Sequence, residues 1–344
     1  MADKDELRIG INGFGRIGRL ICRAAFEREG ITVVAINACY DVDYLAYLLK
    51  HDSSHGHSQF SIDFNKTNST IIVNSKEIKC FSTRDPECIP WSKWEVDVVC
   101  ESTGAFTTIP KAKAHIKNGA KKVIITAPSK DAPMFVMGAN HQGYTKNTGE
   151  VVSCASCTTN CVAPIVKIIH ESFGIKHALM TTIHASTKSQ SVVDGTAKAG
   201  KNWRLGRGAM QNIIPTSTGA AIAVGKVLPA LDGKITGISL RVPTPNVSLV
   251  DLTVALEKET TFEELKEVVK HRSETDMLGI VGYTEDQLVS TDFGGNSHSC
   301  VFDADASIAM NGKFMKFLCW YDNEYGYSNR VIDLALHMYE IDTV

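Results

Sequence analysis

Several things are missing from this chain of 344 residues, and each omission removes a class of protein. No apolar run approaches the roughly 18 residues that a membrane span requires. The opening residues carry no basic stretch followed by an apolar core, so no leader peptide is expected. Heptads, tandem repeats and low-complexity tracts are absent, which excludes coiled-coil, solenoid and fibrous architectures. Charge of one sign is missing too: 36 basic and 38 acidic residues leave a net charge of −2. Neither nucleic acid nor an acidic membrane is therefore expected as the primary partner.

Cysteine, by contrast, is plentiful, with 10 residues from Cys22 to Cys319. In a chain without an export signal these are expected to be reduced and mostly buried, and the compartment reads as cytoplasmic. Three of them cluster in "SCASCTTNC", as Cys154, Cys157 and Cys161. A zinc site would need a second C-x2-C pair or a His-x3-His close by to complete its ligands; the chain has no second C-x2-C, and its His51-x3-His55 lies in the first half, about 100 residues away, so no metal is expected. Cys161 falls inside an apolar helix and is expected in the core. Cys154 ends a strand and could join Cys157 only under oxidation. Cys157 is left as the one nucleophile.

The first half alternates strand and helix. Leu7 to Ile11 is a short apolar strand, followed by "NGFGRIGRLICRAAFEREG" and a second strand, "ITVVAIN". Gly13, Gly15 and Gly18 fit G-x-G-x-x-G between strand and helix, the setting in which glycines let a backbone approach a pyrophosphate. "VDVVCESTG", "IPKAKAHIKNGA" and "KKVIITAPS" continue the alternation, so the fold class is α/β with a Rossmann-type doubly wound parallel sheet. Its ligand-facing rim would carry Gly13, Asn37, Ser102, Thr103 and Thr126. "HSQFSIDFNKTNSTIIVNSKEIKC" looks like antiparallel strands inserted into this scheme.

Past Cys157 the sequence reads as a helix to Gly174, with Pro164 implying a kink or a late start, and then a strand ending at His184. A helix of about 16 residues runs ~24 Å and an eight-residue strand returns ~26 Å, which would land His184 beside Cys157. A thiol at a helix N-terminus beside an imidazole favours a thiolate near neutral pH, and the same imidazole can take a proton from an intermediate. Thr187, Arg204, Arg207, Thr218 and Arg241 lie in segments rich in hydroxyl and guanidinium groups, a composition suited to phosphate.

Taken together, "INGFGRIGR", "ASCTTNC", "TTIHAST", "NIIPTSTGAA", "RVPTPNVSLVDL" and "WYDNEYGYSNRVIDLALHM" resemble the phosphorylating glyceraldehyde-3-phosphate dehydrogenases along the whole chain. The resemblance implies a dinucleotide-binding domain over 1–156 with 323–344, and an α+β catalytic domain with a mainly antiparallel sheet over 157–322. It implies oxidation of glyceraldehyde 3-phosphate with inorganic phosphate to 1,3-bisphosphoglycerate, in glycolysis or gluconeogenesis, by a homotetramer. Cys157 and His184 match the catalytic pair. Thr187 and Arg241 match the site for the substrate's phosphate. Ser156, Thr158, Thr218 and Gly219 match that for inorganic phosphate, with Arg204 and Arg207 in the basic loop.

On the cofactor side the matching positions are Asn12, Gly13, Gly15, Arg16, Ile17, Asn37, Ala38, Arg84, Ser102, Thr103, Gly104, Thr126 and Asn323. Some positions depart from the pattern: Cys154 stands for Asn, Ser186 for an aromatic and Ile222 for Lys. Two more bear on NADP or NAD as cofactor. Ala38 stands where an NAD enzyme has Asp, and Thr196 where it has Pro, so use of NADP is expected. Erythrose-4-phosphate dehydrogenase uses similar parts, and a redox sensor or RNA-binding role for Cys154 and Cys157 is a reading of another class.

Overall fold

A computed structural model describes residues 6–197 and 202–344; part of the long basic loop, 198–201, lies outside the described residues. The chain divides into two units. One takes in the residues up to Phe135, His141–Ala155 and Ser328–Val344; the other takes Val136–Asn140 and Ser156–Tyr327. The boundaries thus fall at 155/156 and 327/328, where 156/157 and 322/323 were expected, and a short segment of the first half joins the second unit.

The first unit is built from β1 (Leu7–Asn12), α1 (Arg16–Phe26), β2 (Ile31–Asn37), α2 (Val42–Lys50), β3 (Ile62–Asn65), β4 (Thr70–Val73) and β5 (Lys76–Phe81). It continues with β6 (Val98–Glu101), α3 (Ile109–Lys117), β7 (Lys122–Ile125) and β8 (Val151–Ser153). These form an eight-stranded sheet in the order β3-β4-β5-β2-β1-β6-β7-β8. The run from β5 to β8 is parallel, and all its strands but β5 are almost continuously buried, as strands covered on both faces must be. The segment expected as an insertion extends the sheet edge instead. β3 and β4 are antiparallel, whereas β5 pairs in parallel with β2 and so belongs to the doubly wound core.

β1 lies between β2 and β6, so the strand order reverses there and the strand ends leave a crevice. In register across that line stand Asn37, Asn12 and Glu101. Three apolar strands end together on polar residues.

The second unit opens with α4 (Cys157–Phe173) and β9 (Ile175–His184), followed by β10 (Ile214–Ser217), α5 (Ala220–Val227), β11 (Ile235–Arg241) and β12 (Ser248–Leu256). Then come α6 (Phe262–Glu274), β13 (Val281–Thr284), β14 (Cys300–Asn311) and β15 (Phe314–Tyr321). Its seven-stranded sheet runs β10-β11-β9-β12-β15-β14-β13 and is mainly antiparallel, with β11–β9 and β13–β14 the parallel pairs. α7 (Tyr325–Thr343) starts in this unit and continues into the first.

Helix α4 positions the chemistry. Ser156 is its N-cap, with Oγ accepting from the Thr159 amide at 3.1 Å. Val162, Ile165, Val166, Ile168 and Ile169 are fully buried, each contributing roughly 1.5–3 kcal/mol. Such burial offsets Pro164, which sits inside the helix without delaying its start. Gly174 at φ +70° ends it and β9 begins at once.

Candidate active site

In the first unit the three glycines do three different jobs. Gly13, at φ +92°, closes the turn after β1 and donates its N–H to the Asn37 carbonyl at 2.8 Å. A Cβ on Gly18 would strike the Gly13 carbonyl oxygen, so that glycine seats α1 against the turn. Gly15 is exposed, and a Cβ there would meet nothing within 4 Å. It leaves open the space in which a pyrophosphate would approach the backbone. The Ser102 hydroxyl is buried beside the same turn and has no hydrogen-bond partner among the described residues. An orphaned donor and an open cradle at a strand-order reversal fit a dinucleotide.

Other expected cofactor residues are placed differently. Asn12 and Asn37 are buried and bond to each other at 2.7 Å, so their side chains serve the framework. Arg16 and Ile17 open α1, and the Arg16 guanidinium meets Asp52 at 2.5 Å. Thr126 turns its hydroxyl to the Glu101 carbonyl at 3.0 Å. Thr103 bonds the Glu101 carboxylate through its amide at 2.8 Å, and Gly104 follows at φ +73°. Arg84 is exposed on the loop after β5. Ala38 is buried with its N–H on the Phe81 carbonyl, and Asp41 occupies the N-cap position of α2. No carboxylate stands at the end of β2.

The second unit brings together the thiol and the imidazole that were expected to form the catalytic pair. Cys157, the first residue of α4, lies half-buried with Sγ 3.5 Å from His184 Nε2 at the end of β9. His184 Nδ1 is 2.8 Å from the Ala185 carbonyl; a proton on Nδ1 would bond there and leave Nε2 basic, whereas the Arg241 guanidinium, which can only donate, calls for an unprotonated Nδ1. Arg241, at the end of β11, pairs in register with His184 and brings Nη1 to 2.5 Å from Nδ1. Burial pushes the Cys157 thiol up, opposed first by the Arg241 cation and then by Thr158 and the amides of the helix start. Burial and the same cation hold His184 down to about 4, against the Ala185 carbonyl. The helix start and the imidazole were expected to favour the thiolate; burial instead raises the thiol, and Arg241 is the largest influence opposing it.

Around this pair, several expected phosphate ligands are engaged elsewhere. Ser156 caps the helix, and Thr158 is buried with its hydroxyl 2.9 Å from that of Tyr321. Thr187 Oγ1 pairs with Ser189 at 2.9 Å, and Thr218 Oγ1 accepts from the Ala220 amide. Gly219 sits exposed at the N-cap of α5. Arg207 is paired with Asp194 at 2.9 Å, and Arg204 and Thr196 are exposed. Arg241 differs: its Nε is buried with no partner among the described residues, as are Gln190 Nε2 and Thr244 Oγ1 on the neighbouring loops. Unmet buried donors call for an acceptor, and an anion supplies one.

Two residues escaped the sequence reading. Tyr321 is buried at the end of β15, its hydroxyl bridging Thr158 and Thr182 and its ring set edge-on to His184 at 6.1 Å. Ser248 accepts from the Ala185 amide and donates to Asn323 Oδ1 at 2.8 Å, fixing that amide's orientation. The signal for both was a hydroxyl at the end of a strand whose partners cannot be read from spacing.

A dinucleotide cradle in one unit and a paired thiol and imidazole in the other define the class, a dinucleotide-dependent dehydrogenase with a cysteine nucleophile. The family model "Glyceraldehyde 3-phosphate dehydrogenase, NAD binding domain" matches residues 7–109, and that for the C-terminal domain of the same enzyme matches 156–323. The chain is 55% identical over 336 residues to glyceraldehyde-3-phosphate dehydrogenase 2 of Mucor circinelloides f. lusitanicus, covering 97% of this chain and 98% of that one. It is 56% identical over 334 residues to a chloroplastic glyceraldehyde-3-phosphate dehydrogenase of Arabidopsis thaliana, covering 97% and 78%. A cytosolic one from the same plant is 54% identical over 342 residues, covering 98% and 99%. The chain belongs to the glyceraldehyde-3-phosphate dehydrogenase family.

Proposed function

We propose that this protein oxidises glyceraldehyde 3-phosphate with inorganic phosphate to 1,3-bisphosphoglycerate, reversibly. The single observation that carries the reading is the Cys157–His184 contact at 3.5 Å with Arg241 beside it. Cys157 Sγ attacks the aldehyde carbon and His184 returns a proton to the carbonyl oxygen, giving a thiohemiacetal. A bound nicotinamide supplies the hydride acceptor. His184 Nε2 then takes the hydroxyl proton as the C1 hydride leaves, and a thioester remains on Cys157. An oxygen of inorganic phosphate attacks that thioester, the acyl–sulfur bond breaks, and the Cys157 thiolate is released with the acyl phosphate. Arg241 and Thr187 hold the substrate's own phosphate in this scheme. The unmet Arg241 Nε supports that role. Ser156, Thr158, Thr218, Gly219, Arg204 and Arg207 surround the attacking phosphate, with Ser156 and Thr158 acting through the helix start they shape.

Cofactor choice follows from the end of β2. With Ala38 where a carboxylate would accept from the ribose 2′-hydroxyl, nothing there repels a 2′-phosphate, and NADP is used at least as well as NAD. Thr196 faces the same ribose from a neighbouring subunit of a homotetramer in the cytoplasm. The test is nicotinamide reduction at 340 nm with glyceraldehyde 3-phosphate or erythrose 4-phosphate, with and without inorganic phosphate, and with each cofactor. Phosphate-dependent reduction with the three-carbon aldehyde is the expected result. Preference for erythrose 4-phosphate would replace the substrate, and a tenfold preference for NAD would overturn the cofactor assignment.

A further inference from the structure

Beneath the dinucleotide cradle runs a buried chain of polar side chains to which the chemistry above gives no role. Trp91 is fully buried, seated against Gly10 of β1, where any Cβ would clash with the indole at 2.7 Å. Its Nε1 donates to His115 Nδ1 at 3.1 Å. An indole nitrogen can only donate, so His115 Nδ1 must be the unprotonated nitrogen. The ring proton of the neutral ring therefore lies on Nε2, 2.9 Å from Glu101 Oε2, to which it donates. His115 and Glu101 are 0% and 1% exposed.

Glu101 gathers four donors. Its Oε2 accepts from His115 and, at 2.6 Å, from Asn12 Nδ2, while its Oε1 accepts from the Thr103 amide at 2.8 Å and from the Thr103 hydroxyl. Asn12 Oδ1 in turn accepts from Asn37 Nδ2 at 2.7 Å. Asn37 then grips the backbone of Thr83, donating to its carbonyl at 3.0 Å and accepting from its amide at 3.1 Å. The amide orientations in this chain are not arbitrary. The Thr83 N–H requires Asn37 Oδ1, which turns Asn37 Nδ2 to Asn12 and Asn12 Nδ2 to the carboxylate. Two groups that can only donate, one at each end, fix every proton between them.

We propose that Glu101, oriented by Trp91 and His115, is a positioning residue for the dinucleotide, fixing as one unit the Asn12–Gly13 turn, the Thr103 loop and the Thr83–Arg84 loop. These three stretches flank the crevice where β1, β2 and β6 end. A carboxylate suits the post because it accepts at both oxygens, whereas an amide would turn its own donor toward two of the four. The inference rests on the cradle binding a dinucleotide, and the test separates the two claims.

The experiment measures dissociation constants for NAD and NADP by quenching of protein fluorescence, with KM and kcat, in wild type, E101Q, N37A, H115Q and H115L. Glu101→Gln is expected to weaken both cofactors about tenfold or more, the loss that follows one broken hydrogen bond to a charged group. At saturating cofactor, kcat should stay within about threefold. His115→Gln keeps a donor for Glu101 and should bind cofactor more tightly than His115→Leu, which a purely space-filling role would not produce. Asn37→Ala cuts the chain without touching the carboxylate and should also weaken binding, so an unfolded Glu101 variant leaves the test intact. Cofactor affinities within twofold of wild type in folded E101Q or N37A would overturn the positioning role. A wild-type protein binding neither NAD nor NADP would overturn the functional reading instead.

Discussion

At the reactive pair a single cation acts with opposite sign on two groups. The Arg241 guanidinium favours the Cys157 thiolate and disfavours the His184 imidazolium. Cys157→Ser should abolish turnover while cofactor binding persists, because a hydroxyl is not appreciably ionised near neutral pH. Activity retained in that variant would remove Cys157 from the mechanism. His184→Asn takes away the nitrogen that receives the thiol's proton, so alkylation of Cys157 by iodoacetamide should shift to higher pH. An unmoved profile would show that the two side chains do not interact. A stability effect accompanies this. His184 titrates at about 4 in the folded chain, below the ~6.5 of an unfolded histidine. The unfolded chain therefore binds the proton first. The stability that the neutral ring contributes is complete above pH 6.5 and is lost as pH falls toward 4, by up to about 2 kcal/mol at pH 5. Melting curves between pH 7 and 5 should accordingly fall more steeply for wild type than for His184→Asn, and parallel curves would contradict the burial argument.

Elements were legible where their ends carried a signal. The return of β9 along α4 could be worked out from two lengths read off the sequence; the helix has 17 residues and the strand ten, somewhat longer than expected, and the return does bring His184 to Cys157. The glycine turn was equally plain, since only one arrangement of strand, turn and helix uses those three positions. Arg241 beside His184 was not legible, because it depends on β11 choosing β9 as its parallel neighbour, a long-range pairing with no local mark. Asn37 was expected at the cofactor from its place on the strand-end rim and Asn12 from the resemblance; their side chains bond each other, and Glu101 on β6 accepts from Asn12. Two element ends can be probed directly. Ser156→Ala removes the cap of α4 and should cost about 1 kcal/mol in urea unfolding, with slower acylation because Cys157 is the next residue. No loss of stability would mean that packing alone holds the helix start. Ala38→Asp puts a carboxylate at the end of β2 and should shift the kcat/KM ratio toward NAD. An unchanged ratio would show that selectivity is set elsewhere on the ribose.

For the whole molecule, the second sheet raises the question of what covers its outer face. α4, α5 and α6 pack on one side, and along β9 that side is shut: Ala178, Met180, Thr182 and His184 are buried. The residues between them point the other way. Register lines Leu179 up with Thr253, Lys316 and Ile308, and Ile238 with Thr181, Asp251 and Leu318. Leu179 is 64% exposed, Ile238 51% and Ile308 59%, with Met310 and Phe314 exposed beyond them. Apolar side chains spread over a sheet face, with the Lys316–Asp251 ion pair among them, have the mixed character of an interface core and its polar rim. Each aliphatic side chain covered there would gain roughly 1.5–3 kcal/mol. A second copy of the chain is the occupant consistent with the proposed homotetramer. Light scattering at micromolar concentration should give about four times the 37.5 kDa of the chain. Leu179→Asp, which puts a charge in the middle of that face, should lower the mass while the monomer stays folded. A monomer mass for the wild-type protein would exclude the assembly, and an unchanged mass for Leu179→Asp would move the interface to another surface.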